Sequence, residues 1–138
     1  MAEPVLLDTC AALWLVGEEF MSDLSVAAMR AAYEASVGIY VSPFTAWEIG
    51  TLVAKGRMQF AVSPEVWFET LLNLHGVRLA ELTPRILLTS TTLPGTPPSD
   101  PADRIIAATA RICGYVVITR DRKLLNYARQ GHLRVKAC

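Results

Sequence analysis

A chain of 138 residues is the length of one ordinary domain and can bury a real core. Thirteen Lys/Arg balance thirteen Asp/Glu, so overall charge selects neither a polyanion nor a cationic surface as partner. Hydrophobic residues make up 52 %, a surplus that suggests a well-buried sheet or a face used in assembly. The three cysteines, Cys10, Cys113 and Cys138, have no metal-ligand spacing and no even count for a disulfide framework, which points to a reducing, cytoplasmic setting. Cys10 and Cys113 are expected as buried structural thiols. No basic stretch precedes an apolar one at the start, and the longest apolar run, Val5–Val16, is interrupted by Asp8 and too short to span a bilayer.

In chain order, Val5-Leu6-Leu7 reads as a strand buried on both faces and Thr9–Val16 as a helix stopped by Gly17. Leu24–Val37 is an Ala-rich helix with Ser22 or Asp23 as cap, and Ile39–Val41 is a second short strand. Ser42-Pro43 places a cap and a first-turn proline before a helix that runs to Lys55 and stops at Gly56. Ser63-Pro64 repeats the signal for a helix over Glu65–His75. Val77–Leu82 is a third strand, and Thr83-Pro84 opens a helix to about Thr91. Leu93–Ser99 is a loop, Asp100-Pro101 opens the helix Ala102–Cys113, and Val116–Ile118 is the fourth strand. A short helix over Lys123–Arg129 and an edge strand over Leu133–Val135 complete the chain. Short apolar runs alternating with helices predict an α/β fold: one domain over residues 1–138, with a mainly parallel sheet of four to five strands and helices on both faces. Its functional crevice is expected at the carboxyl ends of the strands.

Four carboxylates sit in informative places. Asp8 directly follows the first strand, and Asp121 follows the fourth by three residues. Asp103 falls in the first turn of its helix, where the helix dipole alone explains an acid, and Asp100 reads as that helix's cap. Glu48 lies mid-helix among Phe44, Thr45, Thr51 and Leu52, where a lone carboxylate needs a partner. Together they form a set of hard oxygen donors suited to Mg²⁺ and to phosphodiester hydrolysis. His75 and His132 have no evident catalytic partner, and Trp14, Trp47 and Trp67 fall at apolar helical positions expected in the core. From Arg104 to Cys138 there are eight Lys/Arg and one acid. That basic end points weakly to an anionic partner, with Arg104, Arg120 and Arg122 as candidate phosphate contacts.

The motifs come in a familiar order. Asp8-Thr9 with Leu13, Ser42 to Gly56 (SPFTAWEIGTLVAKG), Asp100 to Ala108 (DPADRIIAA) and Thr119-Arg120-Asp121 resemble the four motifs of PIN-domain ribonucleases, specifically VapC-type toxins. Pro98-Ser99 stands where many of that branch carry a histidine. The resemblance implies a three-layer α/β/α fold, Mg²⁺ or Mn²⁺ dependence, RNA hydrolysis, a homodimer and neutralisation by a cognate antitoxin. It also implies a metal site of Asp8, Glu48, Asp103 and Asp121, with Thr9 and Thr119 as supporting hydroxyls. The alternatives are a PIN-like binding module without catalysis, or an aspartate-based phosphoryl-transfer domain. The latter is disfavoured because no lysine directly follows a predicted strand.

Overall fold

The computed structural model describes residues 2–138. The elements are β1 (Val5–Leu7), α1 (Thr9–Val16), α2 (Asp23–Glu34), β2 (Ile39–Val41), α3 (Pro43–Ala54), α4 (Pro64–Leu72), β3 (Val77–Leu79), α5 (Pro84–Ser90), α6 (Pro101–Cys113), β4 (Val116–Thr119), α7 (Arg122–Arg129) and β5 (Val135–Ala137). The five strands form a single parallel sheet in the order β3-β2-β1-β4-β5. Helices cover both faces, giving the three-layer α/β/α architecture.

Each strand is only three or four residues long, so its side chains alternate between two cores. Val5, Leu7, Ile39, Val41, Val116 and Ile118 point to one side, where Ala11, Ala12, Met29, Ile49, Trp67 and Leu71 cover them. Leu6 and Val117 point to the other, against Ile86, Ile106, Ala107, Leu124 and Tyr127. Burial on both faces is why these strands read as unbroken apolar runs rather than as alternation.

Four helices begin as their sequences predict. Ser42, Ser63, Thr83 and Asp100 are caps followed by proline, and their side-chain oxygens accept from the backbone N–H of Phe44, Val66, Ile86 and Ala102. The far ends differ more. Helix α2 stops at Glu34 rather than Val37, because Ser36 takes φ 58° and turns the chain into β2. Helix α4 ends at Leu72, not His75, and β3 ends at Leu79, not Leu82. The last strand lies two residues later than expected: Leu133 is buried under the second core, and Val135, not Leu133, opens the pairing with Val117.

Three burial expectations are corrected. Trp47 is 62 % exposed, because α3 is apolar on more faces than the sheet can cover, Cys10 is exposed rather than buried, and Cys113 is only half-buried. Trp67 is in the core as expected, while Trp14 is half-buried.

The chain lays down β1, β2 and β3 in one direction, then returns to place β4 on the other side of β1. Neighbouring connections therefore diverge above the carboxyl ends of β1 and β4, and that divergence opens a crevice.

Candidate active site

Asp8 leaves the carboxyl end of β1 and performs two tasks at once. Its Oδ1 caps α1 by accepting from the backbone N–H of Ala11 at 2.8 Å. Its Oδ2 accepts from the Thr119 hydroxyl at 2.5 Å. Thr119 ends β4, and the same hydroxyl oxygen accepts from the backbone N–H of Asp121 at 2.9 Å. One buried threonine thus ties the acid of one central strand to the acid following the other. Asp121 in turn caps α7, its Oδ1 accepting from Lys123 N at 2.7 Å.

Glu48 reaches the crevice from α3. It is half-buried rather than enclosed, and its partner is Thr9, whose hydroxyl donates to Glu48 Oε1. Asp103 arrives from the first turn of α6, while Asp100 caps that helix through Ala102 N at 2.9 Å. Asp8, Thr9, Cys10, Glu48, Asp100, Asp103 and Asp121 together line one cavity of about 90 Å³. All four acids singled out from the sequence, from residues 8 to 121, meet there.

The charges respond to this crowding. Burial, only partly offset by the Thr119 and Ala11 hydrogen bonds, pushes Asp8 from 3.8 up to about 6, with the Asp121 and Glu48 carboxylates adding to the rise. Burial likewise pushes Asp103 up to about 7, reinforced by Asp121 and Asp100 and opposed by Lys123. Partial desolvation of the Cys10 sulfur, with the Asp8 carboxylate beside it, pushes that thiol up to about 11, so it is no thiolate at neutral pH. Among the described residues, Asp103 Oδ2 is the one buried side-chain oxygen or nitrogen with no hydrogen-bond partner.

These features bear on whether a divalent cation fits. The donors are carboxylate and hydroxyl oxygens, the set preferred by Mg²⁺ and Mn²⁺ over softer metals. An unpartnered buried carboxylate oxygen beside other acids is costly without a counter-charge, and a cation would supply one. Among the described residues, however, no three His, Cys, Asp or Glu side chains stand close enough together to hold one ion as they are. Asp8 and Glu48 are instead turned onto threonine hydroxyls. The set therefore fits Mg²⁺, which keeps several waters and takes few protein ligands, better than a cation needing a full protein cage.

The arginines divide. Arg104 donates through Nε to Ser90 O at 2.8 Å and through Nη1 to Pro98 O at 3.0 Å. Arg120 lies over the Trp14 ring at 3.8 Å and donates to the backbone oxygens of Cys138 and Phe20. Both guanidinium groups bind backbone oxygens within the chain, and among the described residues neither forms an ion pair with an Asp or Glu side chain. Arg122 is exposed at the start of α7. Lys123, which the sequence gives only as the start of a helix, lies within electrostatic reach of Asp103. Its position two residues after Asp121 in the first turn of α7 was the available signal.

Residues 5–130 match the family model described as PIN domain. The chain is 35 % identical over 123 residues to Ribonuclease VapC22 of Mycobacterium tuberculosis (strain ATCC 25618 / H37Rv), covering 89 % of this chain and 91 % of that protein. Its fold is similar to that in the crystal structure of VapBC2 from Rickettsia felis bound to a DNA fragment from their promoter. There the TM-score is 0.70 at 13 % identity, covering 97 % of this chain and 98 % of the other. The DNA-bound VapBC structure from Salmonella typhimurium matches with a TM-score of 0.60 at 18 % identity, covering 99 % and 98 %.

Proposed function

The chain belongs to the PIN-domain family, on its VapC-type branch, and from that premise we propose that it is a metal-dependent endoribonuclease, the toxin of a toxin–antitoxin pair. The observation that carries this reading is the unpartnered, buried Asp103 Oδ2 in a cavity shared with Asp8, Glu48 and Asp121. A helix-capping acid has no need to be there, and a scaffold without catalysis gains nothing from the repulsion.

Asp8, Glu48, Asp103 and Asp121 would hold Mg²⁺ or Mn²⁺. When bound, the ion supplies Lewis acidity and positive charge at the phosphodiester. The chain's own residues do the rest. Thr119 fixes the Asp8 carboxylate and, through Asp121 N, the distance to the start of α7. Thr9 holds Glu48 toward the cavity. Asp8 and Asp103, raised to about 6 and about 7, would hold a cation in their deprotonated form, so protons and metal would compete for them. Arg122 and Lys123, exposed in the first turn of α7 directly after Asp121, would meet the RNA backbone. Arg104 and Arg120 hold the surrounding loops.

Partners follow from the surface. Phe20, Leu24, Trp47 and Leu88 are all more than half exposed, on the α1–α2 loop and on α2, α3 and α5. An apolar groove of about 470 Å³ between α1, α2 and the α4–β3 turn is lined by Leu15, Val26, Met29 and Tyr33. This much uncovered apolar surface supports both a homodimer and an antitoxin, and the VapBC likenesses support the second. No helix among the described residues is long and apolar enough to cross a membrane. With three free cysteines, we place the protein in the cytoplasm.

The test is cleavage of single-stranded and structured RNA by purified protein with Mg²⁺, with Mn²⁺ and in excess EDTA. Cleavage restricted to the metal-containing reactions is expected; cleavage undiminished in EDTA would exclude the mechanism. Light scattering is expected to give about twice the 15.1 kDa chain mass, and a monomer at tens of micromolar would remove the homodimer.

A further inference from the structure

The last seventeen residues, Arg122–Cys138, hold five of the thirteen Lys/Arg and none of the thirteen Asp/Glu. The fold arranges these charges in a particular way. Helix α7 begins at the acid cavity, where Asp121 is its cap, and runs back along the sheet beside α6 toward the opposite edge. Its outer face is exposed at Arg122, Lys123, Asn126, Arg129 and Gln130, spaced as one side of a helix. Arg129 Nη1 donates to Asn126 Oδ1 at 2.9 Å, so the two lie together on that face.

At its far end the stripe meets a second pocket of about 290 Å³, lined by Arg111, Tyr115, His132 and Arg134. Tyr115 is held in its wall by stacking on Tyr40, with centroids 4.6 Å apart. Arg111 donates to His132 O at 2.6 Å and forms no ion pair among the described residues. Arg134 donates to Gly114 O and pairs with Glu3, both side chains of that pair being about half exposed. An exposed pair of this kind contributes little and yields readily to another anion.

We infer that this face is the path of single-stranded RNA, running from the acid cavity along the outer side of α7 into the Arg111–Arg134 pocket; the inference rests on the nuclease reading above. Two other charged helices mix their signs, as a merely solvated face does: α2 carries Asp23, Arg30 and Glu34, and α6 carries Asp103, Arg104 and Arg111. A face with cations and amides only, leading away from a cluster of acids, has the charge of a phosphate track. Helix α7 spans about 12 Å, room for about three phosphates at the 3.4 Å rise of a stacked strand. The stripe is one helix wide and offers no protruding helix or ribbon to a groove, which favours a single strand over a duplex.

The experiment uses a fluorescent 20-nucleotide single-stranded RNA, read by anisotropy in EDTA so that binding is seen without cleavage. Arg129→Gln/Arg134→Gln should weaken binding by about tenfold or more. It should also flatten the dependence of log affinity on log salt by about 1.4, the value for two lost phosphate contacts on a single strand. Arg129→Lys/Arg134→Lys should restore most of the affinity, which a purely structural role for the guanidinium bonds would not allow. Undiminished RNA binding by the Gln variant, once its melting temperature is shown to match wild type, overturns the track. So does tighter binding of duplex DNA of equal length through the same residues. A wild type that binds RNA through Arg129 and Arg134 yet cuts nothing with metal leaves the track standing and removes the nuclease reading.

Discussion

At the scale of single residues, the site is a contest between two accounts of the same acids, and Asp103 separates them. If it only stabilises its helix start, Asp103→Asn should cost about 0.3–1 kcal/mol. Two carboxylates about 5 Å apart at an effective dielectric near 20 repel by about 3 kcal/mol, an upper scale because protonation relieves it. Since burial and the Asp121 and Asp100 charges already push Asp103 to about 7, the repulsive side wins. We predict that metal-free Asp103→Asn melts at or above the wild-type temperature while losing at least about a hundredfold in RNA cleavage. A variant that melts lower yet still cuts would return Asp103 to the helix start. Thr119 behaves oppositely. It is fully buried and serves both Asp8 and Asp121, so Thr119→Val leaves a buried carboxylate oxygen and a backbone N–H without partners. A loss of about 1–3 kcal/mol in urea unfolding is expected, with recovery in Thr119→Ser. The acids were legible in the sequence because carboxylates at strand ends and in apolar stripes are out of place. The geometry joining them was not, since the Thr119–Asp8 bond spans 111 positions and no local pattern encodes it. Lys123 was passed over for the same reason: its distance to Asp103 is a product of how α6 and α7 pack.

At the scale of elements, starts were more legible than stops. A capping hydroxyl or carboxylate followed by proline states a helix start in two residues, and Ser42, Ser63, Thr83 and Asp100 all keep that role. Stops depend on what the chain must reach next. Val37 continues an apolar pattern, but β2 must lie beside β1, so the turn at Ser36 and Gly38 ends α2 early. Gly38 is the sensitive point. Its φ is 96°, a Cβ there would meet the Tyr40 ring at 2.7 Å, and its carbonyl accepts from Val5 N at 3.2 Å. Gly38→Ala should therefore cost about 1–3 kcal/mol in urea unfolding, with cleavage per folded molecule unchanged because the turn lies at the sheet edge opposite the acids. A neutral effect on stability would show that the turn relaxes freely. The shifted β5 has a related cause: Leu133 is apolar because α6 and α7 bury it, not because it is paired.

For the whole molecule, the sheet gathers carboxylates at one edge without neutralising them, and stability should carry that mark. Among the described residues there is one ion pair, Arg134 with Glu3, so few carboxylates are stabilised in their charged form. Asp8 and Asp103 have folded-state values of about 6 and about 7 against 3.8 when exposed. Between those limits the folded chain holds more protons than the unfolded one, so through these groups stability falls as pH rises and levels off above about 7. This is the reverse of the usual carboxylate, whose depressed value makes stability fall as pH drops. A divalent cation competes with the same protons and binds the folded state, so its stabilising effect grows with pH. The expected result is a metal-free protein that melts higher at pH 5.5 than at pH 8. Millimolar Mg²⁺ should raise the melting temperature clearly at pH 8 and little at pH 5.5, and Asp103→Asn should flatten both dependences. Thermal melts at the two pH values, with Mg²⁺ and with EDTA, decide it. Metal-free melting that rises toward pH 8, or an Mg²⁺ effect equal at both values, would mean that the carboxylates are already neutralised inside the fold and that the cavity is not built for a cation.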